Sequence, residues 1–269
     1  MEVGELKVSE VENPFDFIGE KHNEIIHYMG LEMKDTLDYY AQKEALTNED
    51  RERMFNYILE ILPTVITKHS ILDTPKEEFN NVLNHFYQTL DYDNYDNLIF
   101  NNPDFDVLKN ILNEASYFTD VNQQVAFIKT KELELLPSVK ELSDTCIIVF
   151  LNVYRHSVTY WENAFKSPDN PWYNFLQSSS DCGKKMYSKE IDWGGMWNRF
   201  SDNVSYGWYK FKKWVGGLFT EDTWAITACA DAIGAIIGCA IGSIGGTVGI
   251  ITCSIVSGSL YSLGWPLLT

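Results

Sequence analysis

Histidines, cysteines and clustered carboxylates are the side chains that could carry catalysis or hold a metal. This chain has five histidines, five cysteines and 38 Asp or Glu residues. His22 shares a helical stripe with Ile18, Ile25 and Met29, and Asn23 follows it. Neither Glu24 nor His27 is spaced to make a known metal-ligand pattern with it. The stripe therefore predicts a buried, hydrogen-bonded histidine that binds no metal. His156 beside Arg155, His69 and His85 also stand without partners at local spacing. Cys146, Cys182, Cys229, Cys239 and Cys253 contain no C-x-x-C pair and have no histidine nearby in sequence. Four of them fall in apolar, helix-like runs, where a thiol serves as a small hydrophobe. Their odd number argues against a complete disulfide framework. The chain lacks a P-loop, a dinucleotide fingerprint, G-x-S-x-G and H-E-x-x-H. Its carboxylates read as solvated faces. No catalytic residue, cofactor site or metal ligand is predicted, and no enzymatic activity is expected.

The elements that would position any site are helices, and strand signals are nearly absent. Asn13-Pro14-Phe15-Asp16 offers an N-cap, a proline at N1 and an acid at N3. Thr74-Pro75-Lys76-Glu77, Asn102-Pro103-Asp104 and the Ser138–Glu141 box are further starts. Phe79, Val82, Leu83, Phe86 and Leu90 lie on one stripe; so do Phe105, Leu108, Leu112 and Ala115. Helices are expected near 14–29, 33–45, 49–68, 75–90, 103–118, 121–135 and 138–166. Pro63 should kink or end the third. Cys146–Val153 is apolar on every side, so its helix should be central. Breaker clusters at Ser167–Pro171 and Ser178–Gly183 predict a loop over 167–195.

The net charge of −17 is unevenly spread. Residues 1–182 carry 14 Lys/Arg against 32 Asp/Glu, 183–216 carry seven against three, and 217–269 carry no base and three acids. The chain divides into an acidic helical body (1–182), a basic aromatic bridge (183–224) and an apolar glycine-rich hairpin (225–269). So acidic a body argues against nucleic acid as the main partner, because phosphate binding needs a basic face. The acidic N-terminus has no signal-peptide core, which predicts a cytoplasmic origin or a leader already removed.

The bridge holds Trp193, Trp197, Trp208, Trp214 and Trp224, with Lys210, Lys212 and Lys213 beside two of them. Such rings favour the headgroup layer of a bilayer, and lysines there attract anionic lipid. The alternative is an aromatic cluster capping a soluble core. Beyond it, 232–263 has no charged residue. Gly234, Gly238 and Gly242 recur at four-residue steps, followed by Gly245, Gly246 and Gly249. Glycine at this spacing makes a groove where a second helix backbone can approach closely. Ala225–Ile244 would span about 30 Å as a helix, and Thr247–Leu263 is slightly shorter. Gly245-Gly246 supplies the turn between them. Asp231 weakens a bilayer placement by about 2.5–3.5 kcal/mol at mid-membrane. A tail packed in the protein's own core is the competing expectation.

The segment Asn13-Pro-Phe-Asp-Phe-Ile-Gly-Glu-Lys-His-Asn23 resembles an N-terminal segment of uncharacterised bacterial proteins, in which a glycine-rich apolar tail also follows a helical body. The tail is similar to glycine-zipper segments of membrane proteins and of some bacteriocins. The resemblance implies a bacterial source and brings no catalytic residues. The expectation is an all-α protein that associates with membranes, inserting or forming pores through its tail. Its partners would be lipid or a second copy of the tail. The alternative is a soluble helical binding protein with the tail in its core.

Overall fold

The computed structural model describes residues 13–43, 46–72, 81, 106–115, 117, 118, 120–180, 228, 231, 232, 234, 235, 238, 239, 242 and 246–268. Every regular element among them is helical. These are α1 (Asp16–Glu32), α2 (Lys34–Ala41), α3 (Asn48–Lys68), α4 (Asp106–Ala115), α5 (Val121–Leu135), a 3-10 turn (Leu136–Ser138), α6 (Leu142–Lys166), α7 (Tyr173–Ser180) and α8 (Gly246–Leu268). The bridge 183–224, most of the 75–90 helix, and the starts at Thr74 and Asn102 lie outside the described residues.

Local chemistry sets the starts of these helices. Asn13 Oδ1 accepts from the Phe15 N–H at 2.9 Å, and the Asn13 carbonyl accepts from Asp16 N–H at 3.0 Å, so a turn leads into α1. Thr47 and Asp50 exchange side-chain and backbone bonds at the head of α3. The box expected at Ser138 sits three residues later, between Glu141 and Asp144. Ser138 instead closes the preceding 3-10 turn by donating to the Leu135 carbonyl. Pro63 does not end α3, which continues to Lys68. Pro63 and Leu59 are only partly buried, and Pro63 costs α3 the one N–H that would have met the Leu59 carbonyl. The loop expected over 167–195 is interrupted by α7. Trp172, Phe175 and Leu176 are buried there, and tertiary packing overrides the breaker residues.

The all-round apolar stretch in α6 is central, as its pattern requires: residues 146–155 are all buried. Helix α6 packs on α1, α5 and α7, and α1 also meets α3 and α8. The tail joins the same hydrophobic cluster through Ala228, Ala232, Ala235, Cys239, Ile255, Val256, Leu260 and Leu263. Among the described residues no helix is long and apolar enough to cross a membrane. Gly234, Gly238 and Gly242 are buried; Gly246 begins α8, Gly249 lies in its first turn, and Gly245 is outside the described residues.

Candidate functional site

Two polar clusters meet on α1, and each draws on residues far away in sequence. The first surrounds Asp16. Helix α1 can approach α6 because Gly19 has no side chain: a Cβ there would lie 2.5 Å from His156 Cδ2 and 2.8 Å from Asn152 Oδ1. At that short range the Gly19 N–H donates to Asn152 Oδ1 at 2.8 Å, and Asn152 Nδ2 donates to Asp16 Oδ1 at 2.9 Å. Arg155 donates to Asp16 through Nη2 and to Glu132 through Nε (2.9 Å) and Nη2 (3.2 Å). Asn13 Nδ2 adds a third donor to Glu132, at 3.0 Å. Asn23 Nδ2 donates to the His156 carbonyl at 3.0 Å. The cluster therefore ties the Asn13–Asn23 segment to both α5 and α6.

The electrostatics of this clasp are self-contained. Burial pushes the Asp16 carboxyl up, but the His156 hydrogen bond and the Arg155 charge outweigh it and hold the group below its ordinary value. Burial and the adjacent Arg155 charge depress His156, against the pull of Asp16. A carboxylate can only accept, so His156 Nε2 carries the proton in the 3.1 Å contact with Asp16 Oδ1. Asp16, Glu20 and His156 have ligand atoms close enough together to share a cation. Arg155 already supplies the positive charge, and a divalent ion would have to sit beside its guanidinium.

The second cluster surrounds His22, which is buried and hydrogen-bonded as its stripe predicts. Its Nδ1 lies 3.1 Å from Asn23 Oδ1 and 3.3 Å from Ser157 Oγ. Its Nε2 faces Asp231 Oδ2 at 3.8 Å, beyond hydrogen-bond range. Trp161 Nε1 donates to Asp231 Oδ2 at 2.8 Å. Burial lowers His22 to about 4, against the bonds from Asn23 and Gly258. Burial raises Asp231 to about 7, against the hydrogen bond from Trp161. Two opposite shifts make this a neutral contact, not an ion pair, between about pH 4 and 6.5.

Serine, histidine and aspartate are the residue types of a nucleophile, a base and an orienting acid. Here the arrangement does not serve that chemistry. The Asn23 carbonyl fixes the proton on His22 Nδ1, the same nitrogen that Ser157 approaches, so that nitrogen cannot take the serine proton. His22, Ser157 and Asp231 are all 0% exposed, which leaves no access for a substrate. The cluster's effect is to seat the tail.

Several sequence expectations need correction. Arg155 and His156 are not unaccompanied: both face Asp16. His69 stacks on Tyr28 with ring centroids 3.8 Å apart and lies 3.6 Å from Glu32. The carboxylates are not all solvated, since Glu132 and Asp231 are fully buried. None of these pairings had a local signal, because each joins different helices. Of the candidate residues in the tail, Gly238 makes the tightest approach: a Cβ there would lie 2.2 Å from the Cys253 carbonyl oxygen. The membrane-interface residues Trp193, Trp197, Trp208, Lys210, Lys212, Lys213, Trp214 and Trp224 lie outside the described residues. Comparison with known families, characterised proteins and solved structures finds no match.

Proposed function

We propose that this chain is a membrane-associating helical protein that carries its apolar tail folded into its own core and inserts it into lipid on release. The observation that supports this reading is the contrast between the tail and its seat. Residues 232–263 carry no charge, yet α8 packs with α1 and α3 of a strongly acidic body. Among the described residues few side-chain polar bonds hold the tail there. Asp231, just ahead of that stretch, accepts from Trp161, while the hydroxyls of Ser254 and Ser257 have no hydrogen-bond partner among the described residues. A segment so placed gives up little polar bonding when it leaves.

In this reading the tail is a glycine-zipper hairpin. The close approach of Gly238 to Cys253 supports it, because backbones that pack against each other in a protein core can do so in lipid. Docking falls to the bridge, whose tryptophans suit the headgroup layer and whose lysines suit anionic lipid. Partners are lipid or a second copy of the tail. The acidic body disfavours nucleic acid.

The same tight packing favours a second reading, a helical binding protein whose tail never leaves its core. Flotation on anionic vesicles separates the two. Trp161→Phe removes the donor to Asp231 and should increase vesicle binding over wild type. Adding Lys210→Glu, Lys212→Glu and Lys213→Glu to that variant should reduce binding again, as should raised salt. A Trp161→Phe protein that is less stable but stays off the vesicles would favour the permanent core.

A further inference from the structure

We propose that Cys146 and Cys239 are a disulfide-forming pair that fastens the tail to the centre of the body. Cys146 lies in the second turn of α6, and Cys239 lies in the tail, 93 residues away in sequence. Their sulfurs are 2.7 Å apart, closer than two unbonded sulfurs normally rest, and a small shift would bring them to the covalent separation of about 2.05 Å. Both side chains are buried, at 3% and 0% exposure. Among the described residues no other pair of thiols is in contact. The site holds whether or not the tail ever meets a bilayer.

The burial dictates when the bond forms. A thiolate is the attacking species. In the closed fold the contact with Cys239 and then burial push the Cys146 thiol up, so little thiolate is present. Burial and the nearby Cys239 likewise raise Cys253, to about 11. Exchange therefore belongs to the moment of docking, before the pair is sealed, or to a local opening. The oxidant is a disulfide, either small-molecule or protein-borne. The Cys239 thiolate attacks one of its sulfurs and expels the first thiolate, leaving a mixed disulfide. The Cys146 thiolate then attacks the Cys239 sulfur and expels the second. Two electrons pass to the oxidant, and the two protons from Cys146 and Cys239 end on the released thiols. Once closed, the bond is shielded from reductant by the same burial, and tail release requires its reduction.

The full-length chain tests this directly. It is equilibrated across glutathione to glutathione-disulfide ratios, its free thiols are alkylated in denaturant, and it is digested without reductant. A peptide linking Cys146 to Cys239 is expected, with two of the five cysteines protected. The apparent melting temperature of the oxidised protein should exceed that of the reduced one by about 5–15 °C. Cys253→Ser should keep the link and the shift; Cys239→Ser should lose both. Alkylation of both Cys146 and Cys239 at every ratio, or a link from Cys239 to any other cysteine, would overturn the assignment. The wild-type peptide map alone decides between these outcomes, so no variant needs to fold for the test to work.

Discussion

In one cluster along α1, Asp16 and Glu132 share the guanidinium of Arg155 at the edge of the core. In the other cluster, His22 and Asp231 face each other in full burial. In the first cluster Arg155 donates to both carboxylates, and with the His156 bond it outweighs burial at Asp16. The second loses its charges because burial dominates, moving His22 down and Asp231 up. Desolvation decides between charge and neutrality, and what reverses it is a cation held in place by hydrogen bonds. The clasp therefore ties α1 to α5 and α6 through ionic bonds, whereas the tail is seated mainly by packing.

Removing the cation should give the largest effect. Arg155→Met leaves the buried Glu132 carboxyl without its ion-pair partner. A loss of about 3–5 kcal/mol is expected in urea unfolding. A loss below about 1 kcal/mol would mean that the clasp carries no net charge pairing.

A pH titration sharpens the comparison. Asp231 titrates at about 7 in the fold against 3.8 ordinarily, so its contribution is full at low pH and is lost as pH rises toward 7. His22, lowered from 6.5 to about 4, has the opposite sign: its contribution is full above 6.5 and is lost as pH falls toward 4. Between about pH 4 and 6.5 the two slopes cancel, because burial moves one proton from imidazole to carboxyl without changing the total. Asp231→Asn removes the falling limb. Relative to wild type, its stability should rise by about 3 kcal/mol from pH 4 to 6.5. Parallel curves for the two proteins would show that Asp231 ionises normally.

The two glycine contacts differ in what a methyl group would meet. At Gly238 it meets the Cys253 carbonyl, which is backbone; at Gly19 it meets side chains that can turn aside. Gly238→Ala should cost about 3 kcal/mol and Gly19→Ala about 1 kcal/mol. Thermal unfolding that ranks them in reverse would mean the tail adapts more easily than the clasp. Asp16→Asn should have the smallest effect, below about 1 kcal/mol, because Asp16 is about a third exposed and solvent screens its pairing. Since Asp16 is held below its ordinary value, wild type should lose this contribution as pH falls through the acid range, and the variant should not.

Much of the helical architecture was legible from local pattern. Apolar patterning placed α1, α3, α4 and α6 to within a few residues, because the 3.6-residue period is a local property of the chain. The same stripe gave the burial of His22 correctly. Helix α7 was missed because its breaker residues carry a local signal for a loop, while Trp172, with its Nε1 bonded to the Ile26 carbonyl, fixes the segment from outside. The Ser138 box was displaced because Pro137 and Ser138 are used by a 3-10 turn instead.

The polar clusters could not be read in advance. Asp16 meets Arg155 139 residues away, and Asn13 meets Glu132 119 residues away. Charge, by itself, made Glu132 look like a solvated acid and Asp231 a cost to the apolar tail, and only the helices packed around them clamp the first with Arg155 and raise the second by burial. The cysteines looked like isolated hydrophobes for the same reason. Sequence alone determined that the chain is helical, that its body is acidic and that its tail must escape water, since these follow from composition and short-range spacing. Tertiary structure decided which buried groups keep a charge and which thiols touch, because both depend on distances between helices that no local period encodes.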